Sequence, residues 1–480
     1  MRLLRFLTAC AAVLAATTGP AVAQELSPAQ VRGAADQLLR DGQVGDAALL
    51  ADALLQRNPE DVTALAIRAQ TLLATDDPAG AYALAARAYA GSADDRSRFI
   101  AARLAAQAQA EQRHDLRAQF WLRRARQFAP TEETRAAVAR DYRFLRDRNP
   151  VSLSLNFGVT PTSNINNGSA NQSLNLFGLP FEFELDRAGQ PIAGVQISGG
   201  ASFTYKLRED ARSQTSALAQ VNGRTYMIAP SDMNELEDER NATLAACEDR
   251  DSDESRARCI AGVNPLPQGS DFSDASLRFG LVHRQIFAEG MRPTVFRYSL
   301  GRSFYGGDPY TDFADASITQ SWLVSSRNLL ELSLAGQNRL GLAGQDDVAS
   351  YRISGSWAHV LDGGDVLRFK LGVRENNSDS PDSDYSARQA GVSYDLSDPW
   401  NGIRFGFGLD YEERKHDATI YQPGERRDET VSGRVSMQFT QVEYYGFQPV
   451  VTLEGTRSTS NVDLFDRDYL QLGFDLRSSF

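Results

Sequence analysis

From Val151 onward, apolar side chains recur at every second residue, and this regularity limits the fold more than any other feature of the chain. Successive side chains of a β-strand point to opposite faces, so the alternation predicts strands with one apolar and one polar side. Val151, Leu153, Leu155, Phe157 and Val159 alternate with polar or small residues. Val195, Ile197, Ala201, Phe203, Tyr205 and Leu207 repeat the pattern. Further strands are expected near 212–226, 271–286, 292–304, 312–324, 327–339, 348–360, 364–376, 382–396, 400–413, 427–440 and 444–458. Turn signals separate them at Glu289-Gly290, Ser325-Ser326-Arg327-Asn328, Asp362-Gly363-Gly364 and Ser397-Asp398-Pro399. With the final strand the count is about 14, all antiparallel. No run of about 18 apolar residues follows the leader, so a spanning helix is excluded and a closed barrel is the remaining way to cross lipid. A soluble sandwich rarely strings so many long strands in series. The expected fold of 149–480 is therefore an all-β transmembrane β-barrel.

The strand at Asp468–Phe480 sharpens this expectation. Leu470, Leu472, Phe474, Leu476 and Phe480 share one parity, with Gln471, Gly473, Asp475 and Arg477 on the other. An alternating strand closed by phenylalanine resembles the signal by which bacterial outer-membrane barrels are recognised for insertion. Leu472, Gly473, Phe474, Leu476 and Phe480 carry that likeness, which implies the barrel assembly machinery and outer-membrane lipids as partners. Short turns alternate with long connections at Thr160–Gly194, Ala229–Ser270, Asn376–Ser383 and His416–Asp428, as in such barrels. Phe304-Tyr305, Tyr444-Tyr445 and Trp400 suit interfacial girdles. In a barrel the last strand meets the first, so Leu470–Phe480 is expected beside Val151–Val159.

The amino terminus reads as an export signal. Arg2 and Arg5 precede an apolar stretch through Leu14, and Ala21-Val22-Ala23 offers a cleavage site, giving a signal peptide over 1–23. Leu7-Thr8-Ala9-Cys10 resembles a lipoprotein box but comes too early, with few apolar residues before it. The formal charge of -12 argues against a nucleic-acid partner. After removal of the signal only Cys247 and Cys259 remain, both in one acidic segment. An oxidising compartment favours a disulfide between them over two free thiols.

Residues 24–148 have a different texture. Val31, Ala34, Ala35 and Leu38 share one helical face, as do Leu50, Ala53 and Leu54. Breakers at Asp41-Gly42, Asn58-Pro59, Asp76-Asp77-Pro78, Gly91-Ser92, Arg113-His114 and Pro130-Thr131 divide the segment into about seven helices. Pro59 and Pro130 lie about two tetratricopeptide lengths apart, and the small residues Ala47 and Ala118 fall where helices cross. The segment resembles roughly three tetratricopeptide repeats, which implies a concave surface for peptides or proteins. Phe120 and Trp121 are expected to pack between helices.

No catalytic constellation is legible, and neither enzymatic activity nor a cofactor is expected. His114, His283, His359 and His416 are scattered, without zinc spacing. Asp249, Asp251 and Asp253 begin like a calcium loop, but Glu254 stands where glycine is needed and Ile260 where the closing carboxylate belongs, so no metal site is expected.

One segment is more specific than its composition. Gly158 to Asn167 follows the first strand and reads as a turn-rich exit, since proline and asparagine favour turns. The run Pro161-Thr162-Ser163-Asn164-Ile165-Asn166-Asn167, opening a barrel after periplasmic repeats, resembles the surface lipoprotein assembly modifier (Slam) family. Pro161, Ser163, Asn164, Ile165, Asn166 and Asn167 match the family pattern. The resemblance implies an outer-membrane translocator with its N-terminal domain in the periplasm, delivering a client surface lipoprotein or soluble secreted protein to the cell surface. The alternative is a polysaccharide-export or porin-like channel with periplasmic protein-interaction repeats.

Overall fold

The computed structural model describes residues 26–175, 177 and 181–478. The leader over 1–23, with Cys10, and the terminal Phe480 lie outside the described residues. The chain forms two compact units, 1–146 and 147–480. No helix among the described residues is long and apolar enough to cross a membrane.

The first unit is helical. Its elements are α1 (Pro28–Arg40), α2 (Val44–Arg57), α3 (Val62–Ala74), α4 (Pro78–Gly91), α5 (Asp95–Glu111), α6 (Asp115–Gln127) and α7 (Glu132–Arg148). Four of their starts are set by side chains that satisfy free N–H groups of the first turn. Ser27 and Gln30 form a reciprocal cap on α1, and the carboxylates of Asp61, Asp77 and Asp94 cap α3, α4 and α5. Consecutive helices from α1 to α6 pack as neighbours, and α1 also meets α3 as α3 meets α5. Ala35, Ala51 and Ile67 form one buried cluster and Leu65, Ala88 and Ala101 another. Ala47 and Ala118 are fully buried. Trp121 is buried edge-on against Tyr82 and Tyr89. Phe120 departs from the expectation: it is 52% exposed, because the residue before the core Trp121 falls about 100° around the helix. The Arg124 guanidinium covers its ring at 4.4 Å.

The second unit is a closed barrel of fourteen antiparallel strands. They are β1 (Val151–Thr162), β2 (Gly194–Glu209), β3 (Ser213–Ile228), β4 (Asp274–Gln285) and β5 (Thr294–Tyr305). Then follow β6 (Asp308–Ser325), β7 (Asn328–Gly341), β8 (Val348–Val360), β9 (Val366–Asn377) and β10 (Tyr385–Asp395). The last are β11 (Ile403–His416), β12 (Arg426–Phe439), β13 (Phe447–Ser460) and β14 (Arg467–Ser478). Each strand pairs with its sequence neighbours, and β1 closes the ring against β14. The connections 210–212, 286–293, 326–327, 361–365, 396–402 and 440–446 define a turn end, from which β1 starts. The opposite loop end carries the long connections 163–193 and 229–273, with 417–425 and 461–466 beside the closure. Within 229–273 the chain forms two helices that alternation and acidity did not announce, α8 (Pro230–Glu248) and α9 (Asp253–Ala261). Ser252 caps α9, which places Asp253 in a helical first turn instead of an ion loop.

Alternation sorts the side chains by face. Leu332, Leu334, Ile353, Leu371, Leu409, Leu453 and Leu476 point outward and are all at least 41% exposed, an apolar belt. Trp400 and Tyr444 stand exposed at the turn end, with Tyr305 and Tyr310 at the loop end.

Candidate functional site

The opposite parity faces the lumen and is polar. A cavity of about 530 Å³ is lined by Glu331, Arg352, Arg368, Lys370, Asp410, Glu412 and Arg414, with serines, glycines and Gln389 between them. Glu412 binds Gln389 and Arg414 and lies 3.2 Å from Arg374. Arg352, Arg368 and Lys370 project from the adjacent strands β8 and β9 and form no ion pair among the described residues. Cations that hold no ion pair favour anions, although Glu331, Asp410 and Glu412 line the same cavity and temper the effect. A second cavity of about 430 Å³ contains Thr160, Asp395, Arg434, Glu454, Gln471, Asp475 and Arg477, and so reaches the closure of the barrel.

That closure joins the first strand to the last. β1 pairs with β2 at twelve consecutive positions, from Val151↔Tyr205 to Thr162↔Gly194. With β14 it aligns, among the described residues, at three: Gly158↔Asp475, Val159↔Phe474 and Thr162↔Gln471. Towards the turn end the alignment stops among the described residues. The last strand therefore lies beside the first, as expected, with its aligned positions among the described residues in the loop-end half. Pro161 explains part of the gap. The strand runs through Thr162 and does not exit at Val159, so Pro161 lies within β1. Ser163 donates its backbone N–H to Leu470 O at 3.1 Å, which fixes odd-numbered backbone groups of β1 as the ones facing β14. Pro161 shares that parity and has no N–H, so it leaves a gap in the ladder opposite Leu472.

Beyond Pro161 the remaining motif residues build a clasp. The Asn164 side chain donates to Gly168 O at 3.0 Å and accepts from Gly168 N at 2.9 Å, closing a tight loop. The Asn166 amide donates to Ala188 O and Gln190 O, both at 2.8 Å, while its oxygen accepts from Ile192 N at 3.0 Å. Asn167 takes φ 54°, a left-handed conformation that asparagine tolerates. Ile165 is buried with Ile192 and Leu236, which joins the loop 163–193 to α8. Arg187 strengthens that joint through Asp232 and Glu235, each at 2.7 Å. At Gly168 the backbone passes so close to Gln190 that an added Cβ would lie 2.2 Å from its carbonyl oxygen.

The same loop reaches across the seam. Ala170 N donates to Asp466 O at 2.8 Å, Ser169 Oγ donates to Asp463 O at 2.8 Å, and Asn171 Nδ2 donates to both Asp463 O and Asp466 Oδ2 at 3.0 Å. Phe177 N donates to Tyr421 O at 2.7 Å, and Tyr421 meets Phe465 edge-on. Phe465 in turn lies under the buried guanidinium of Arg426, which binds Asp382 at 2.7 Å and His416 Nε2 at 2.6 Å. The other ring nitrogen of His416, Nδ1, lies 3.3 Å from Pro381 O. Four loops are thereby pinned together around the loop end of the seam.

Cys247 and Cys259 are joined by a disulfide that ties α8 to α9. Leu472, Phe474 and Leu476 point outward on β14, whereas Gly473 faces the lumen wall beside Thr160. No group of three or more metal-ligating side chains occurs among the described residues. The lumen cations and the clasp partners of the motif lay beyond the sequence reading; strand parity is the signal that could have placed Arg352, Lys370 and Arg374 on the polar face.

No protein-family model and no curated protein sequence matches the chain. Among solved structures it is similar to a loop-deletion mutant of OmpT, an outer membrane protein of Vibrio cholerae, at 7% identity and TM-score 0.31, over 68% of this chain and 99% of that one. OccAB2 of Acinetobacter baumannii aligns at 7% identity and TM-score 0.34, over 68% and 97%. OccK8 (OprE) of Pseudomonas aeruginosa aligns at 9% and 0.32, over 68% and 96%. Likeness at this level carries no functional weight.

Proposed function

We propose that the chain is an outer-membrane translocator that delivers surface lipoproteins or related secreted proteins to the cell surface. One observation carries the reading: a closed fourteen-strand barrel, apolar outside and charged inside, in the same chain as a stack of capped helical pairs. A barrel is the β architecture that satisfies every backbone group in hydrocarbon, and its polar interior suits a passage. In this reading the helices are tetratricopeptide-like repeats that engage the client in the periplasm. The Slam-like residues Ser163, Asn164, Ile165 and Asn166 serve to hold the loop end shut, through Leu470, through the backbone of Gly168, Ala188, Gln190 and Ile192, and through the buried contact with Leu236. The disulfide at Cys247–Cys259 fits an oxidising exterior. Deleting the gene and labelling intact cells for a co-encoded lipoprotein tests the proposal; unchanged surface exposure refutes it.

The unpaired lumen cations favour a second reading, a porin-like or polymer-exporting channel for anionic solutes. In planar bilayers that reading requires an open conductance that anionic polymers block.

A further inference from the structure

The strand register gathers lumen cations into one row. From Lys206 at the turn end of β2, directly paired positions lead from strand to strand through Arg297 on β5, Arg352 on β8, Arg374 on β9 and Arg414 on β11. The row then reaches Asp428 near the loop end of β12, its first carboxylate. Serine, valine or alanine fills each position between. All share the parity of Arg352 and Arg414, which line the lumen cavity. Strands of a closed barrel tilt against its axis, so a row of paired residues climbs the wall, here from the turn end to the loop end. Other lumen rows mix signs. Lys370 shares one with Glu331 and Asp410, and Arg368 and Arg434 share another with Glu454.

Lys206 is held by Glu209 at 3.0 Å, and Arg374 and Arg414 share Glu412. Arg297 and Arg352 form no ion pair among the described residues. Arg352 and Arg374 stand directly opposite each other, and like charges so placed oppose folding unless something negative lies between them. Arg374 also keeps a buried Nε that donates to no acceptor among the described residues. Beside the pair the wall recedes, because Ser354, Gly372 and Gln389 occupy the next row of the same cavity. Neighbouring strands lie about 4.8 Å apart, which puts Arg414 about 10 Å from Arg374 and Arg297 about 14 Å from Arg352 along the row. We infer that this row is a binding track for multivalent oxyanions, solutes bearing several phosphate or carboxylate groups, with its tightest station between Arg352 and Arg374. Two adjacent guanidinium groups offer paired N–H donors to one oxyanion, a geometry that ammonium groups lack. The wider spacing of Arg297 and Arg414 suits a solute whose next anionic group engages one arginine before the last group leaves another. The inference rests on the channel reading and deepens it by naming the solute class and its path; it is independent of client delivery.

The test uses the full chain in planar bilayers, with tripolyphosphate or citrate added to potassium chloride as a blocker of the ionic current. Tripolyphosphate reads recognition of phosphate groups and citrate that of carboxylates. At least one of the two is expected to block. Arg352→Gln with Arg374→Gln is expected to raise the half-blocking concentration roughly tenfold or more, through the loss of hydrogen bonds to a charged group. Arg284→Gln with Arg434→Gln removes the same charge from the lumen face but off the row, and is expected to leave the block nearly unchanged. Equal weakening by the two pairs reduces the effect to net charge and overturns the track, as does the absence of block by both anions. Arg297→Gln is expected to slow the onset of block only for anion added on the turn-end side. Slowing from both sides, or from neither, also overturns the track. Thermal melting of each variant verifies its fold. A barrel that passes no current refutes the channel reading alone. Binding of tripolyphosphate and citrate to the detergent-solubilised chain, measured by titration calorimetry, then decides the site by the same contrast between the two pairs.

Discussion

Replacing Asn166 with alanine isolates the clasp from the barrel. The side chain makes two donations, to Ala188 O and Gln190 O, and accepts from Ile192 N and, at 3.3 Å, from Gly168 N. The last group keeps its shorter bond to Asn164, so three contacts are lost in effect. At about 1 kcal/mol net for each, the loop 163–193 loses about 3 kcal/mol of local stability. That is a shift of roughly a hundredfold in the opening equilibrium. Hydrogen exchange by mass spectrometry on the detergent-solubilised chain reads it directly: the Ile192 amide is expected to exchange faster by about that factor. Amides of β9 and β10 are expected to be unchanged, because their ladders do not touch the clasp. Asn166→Asp is expected to be worse than alanine, since it aims a carboxylate at two carbonyl oxygens in place of two donors. If the Ile192 amide exchanges at its original rate in both variants, the buried contact of Ile165, Ile192 and Leu236 holds the loop, and the hydrogen-bond account is wrong.

Three further outcomes test other parts of the argument. Changing Arg352, Arg368 and Lys370 together to glutamine is expected to move the reversal potential in a salt gradient away from anion preference; an unchanged potential shows that this cavity lies off the ion path. Leu371→Arg is expected to reduce the stability of the barrel in vesicles by about 2–4 kcal/mol, the penalty of an arginine near the bilayer midplane, whereas the neighbouring Lys370→Arg is neutral. Asp61 in the helical unit supplies a pH test. Burial alone would raise its carboxyl, but the Arg32 guanidinium and the Ala64 N–H outweigh that and hold it below the usual carboxylate range. A lowered folded value means that its contribution is complete above the unfolded pKa of about 4 and is lost as pH falls through the folded one. Asp61→Ala is expected to destabilise the helices by about 1 kcal/mol at neutral pH. It is also expected to flatten the acid limb of a thermal-melting profile followed at 222 nm, and an unaltered limb refutes the assignment.

Strand number and the two-part architecture were legible because both rest on periodicity, which a single sequence displays in full. The same parity rule that marked Leu371 as outward marked Lys370 and Gly372 as inward. What alternation could not give is register between distant strands. The three-position alignment of β1 with β14 depends on the barrel's stagger and on Pro161, whose missing N–H matters only once its backbone is known to face the seam. The helices α8 and α9 escaped notice because they carry no apolar stripe: Asp232, Leu236 and Cys247 are the buried residues of α8, and α9 has none. The motif 161–167 stood out by composition, but its asparagines bind Gly168, Ala188, Gln190 and Ile192, partners up to 26 residues away that no local rule selects.

The seam also imposes an order of events on folding. Thirteen of the fourteen strand pairings join neighbours in sequence, and the hairpin at Gly306-Gly307, both with positive φ, needs a two-residue turn alone. The contact of Ser163 with Leu470 instead spans 307 residues. The entropy of closing so long a loop is repaid only after the hairpins have aligned, so closure is the slowest step on topological grounds. The clasp supplies bonds that act at that moment, which makes residues 163–171 a determinant of how fast the ring shuts as well as of how firmly it stays shut.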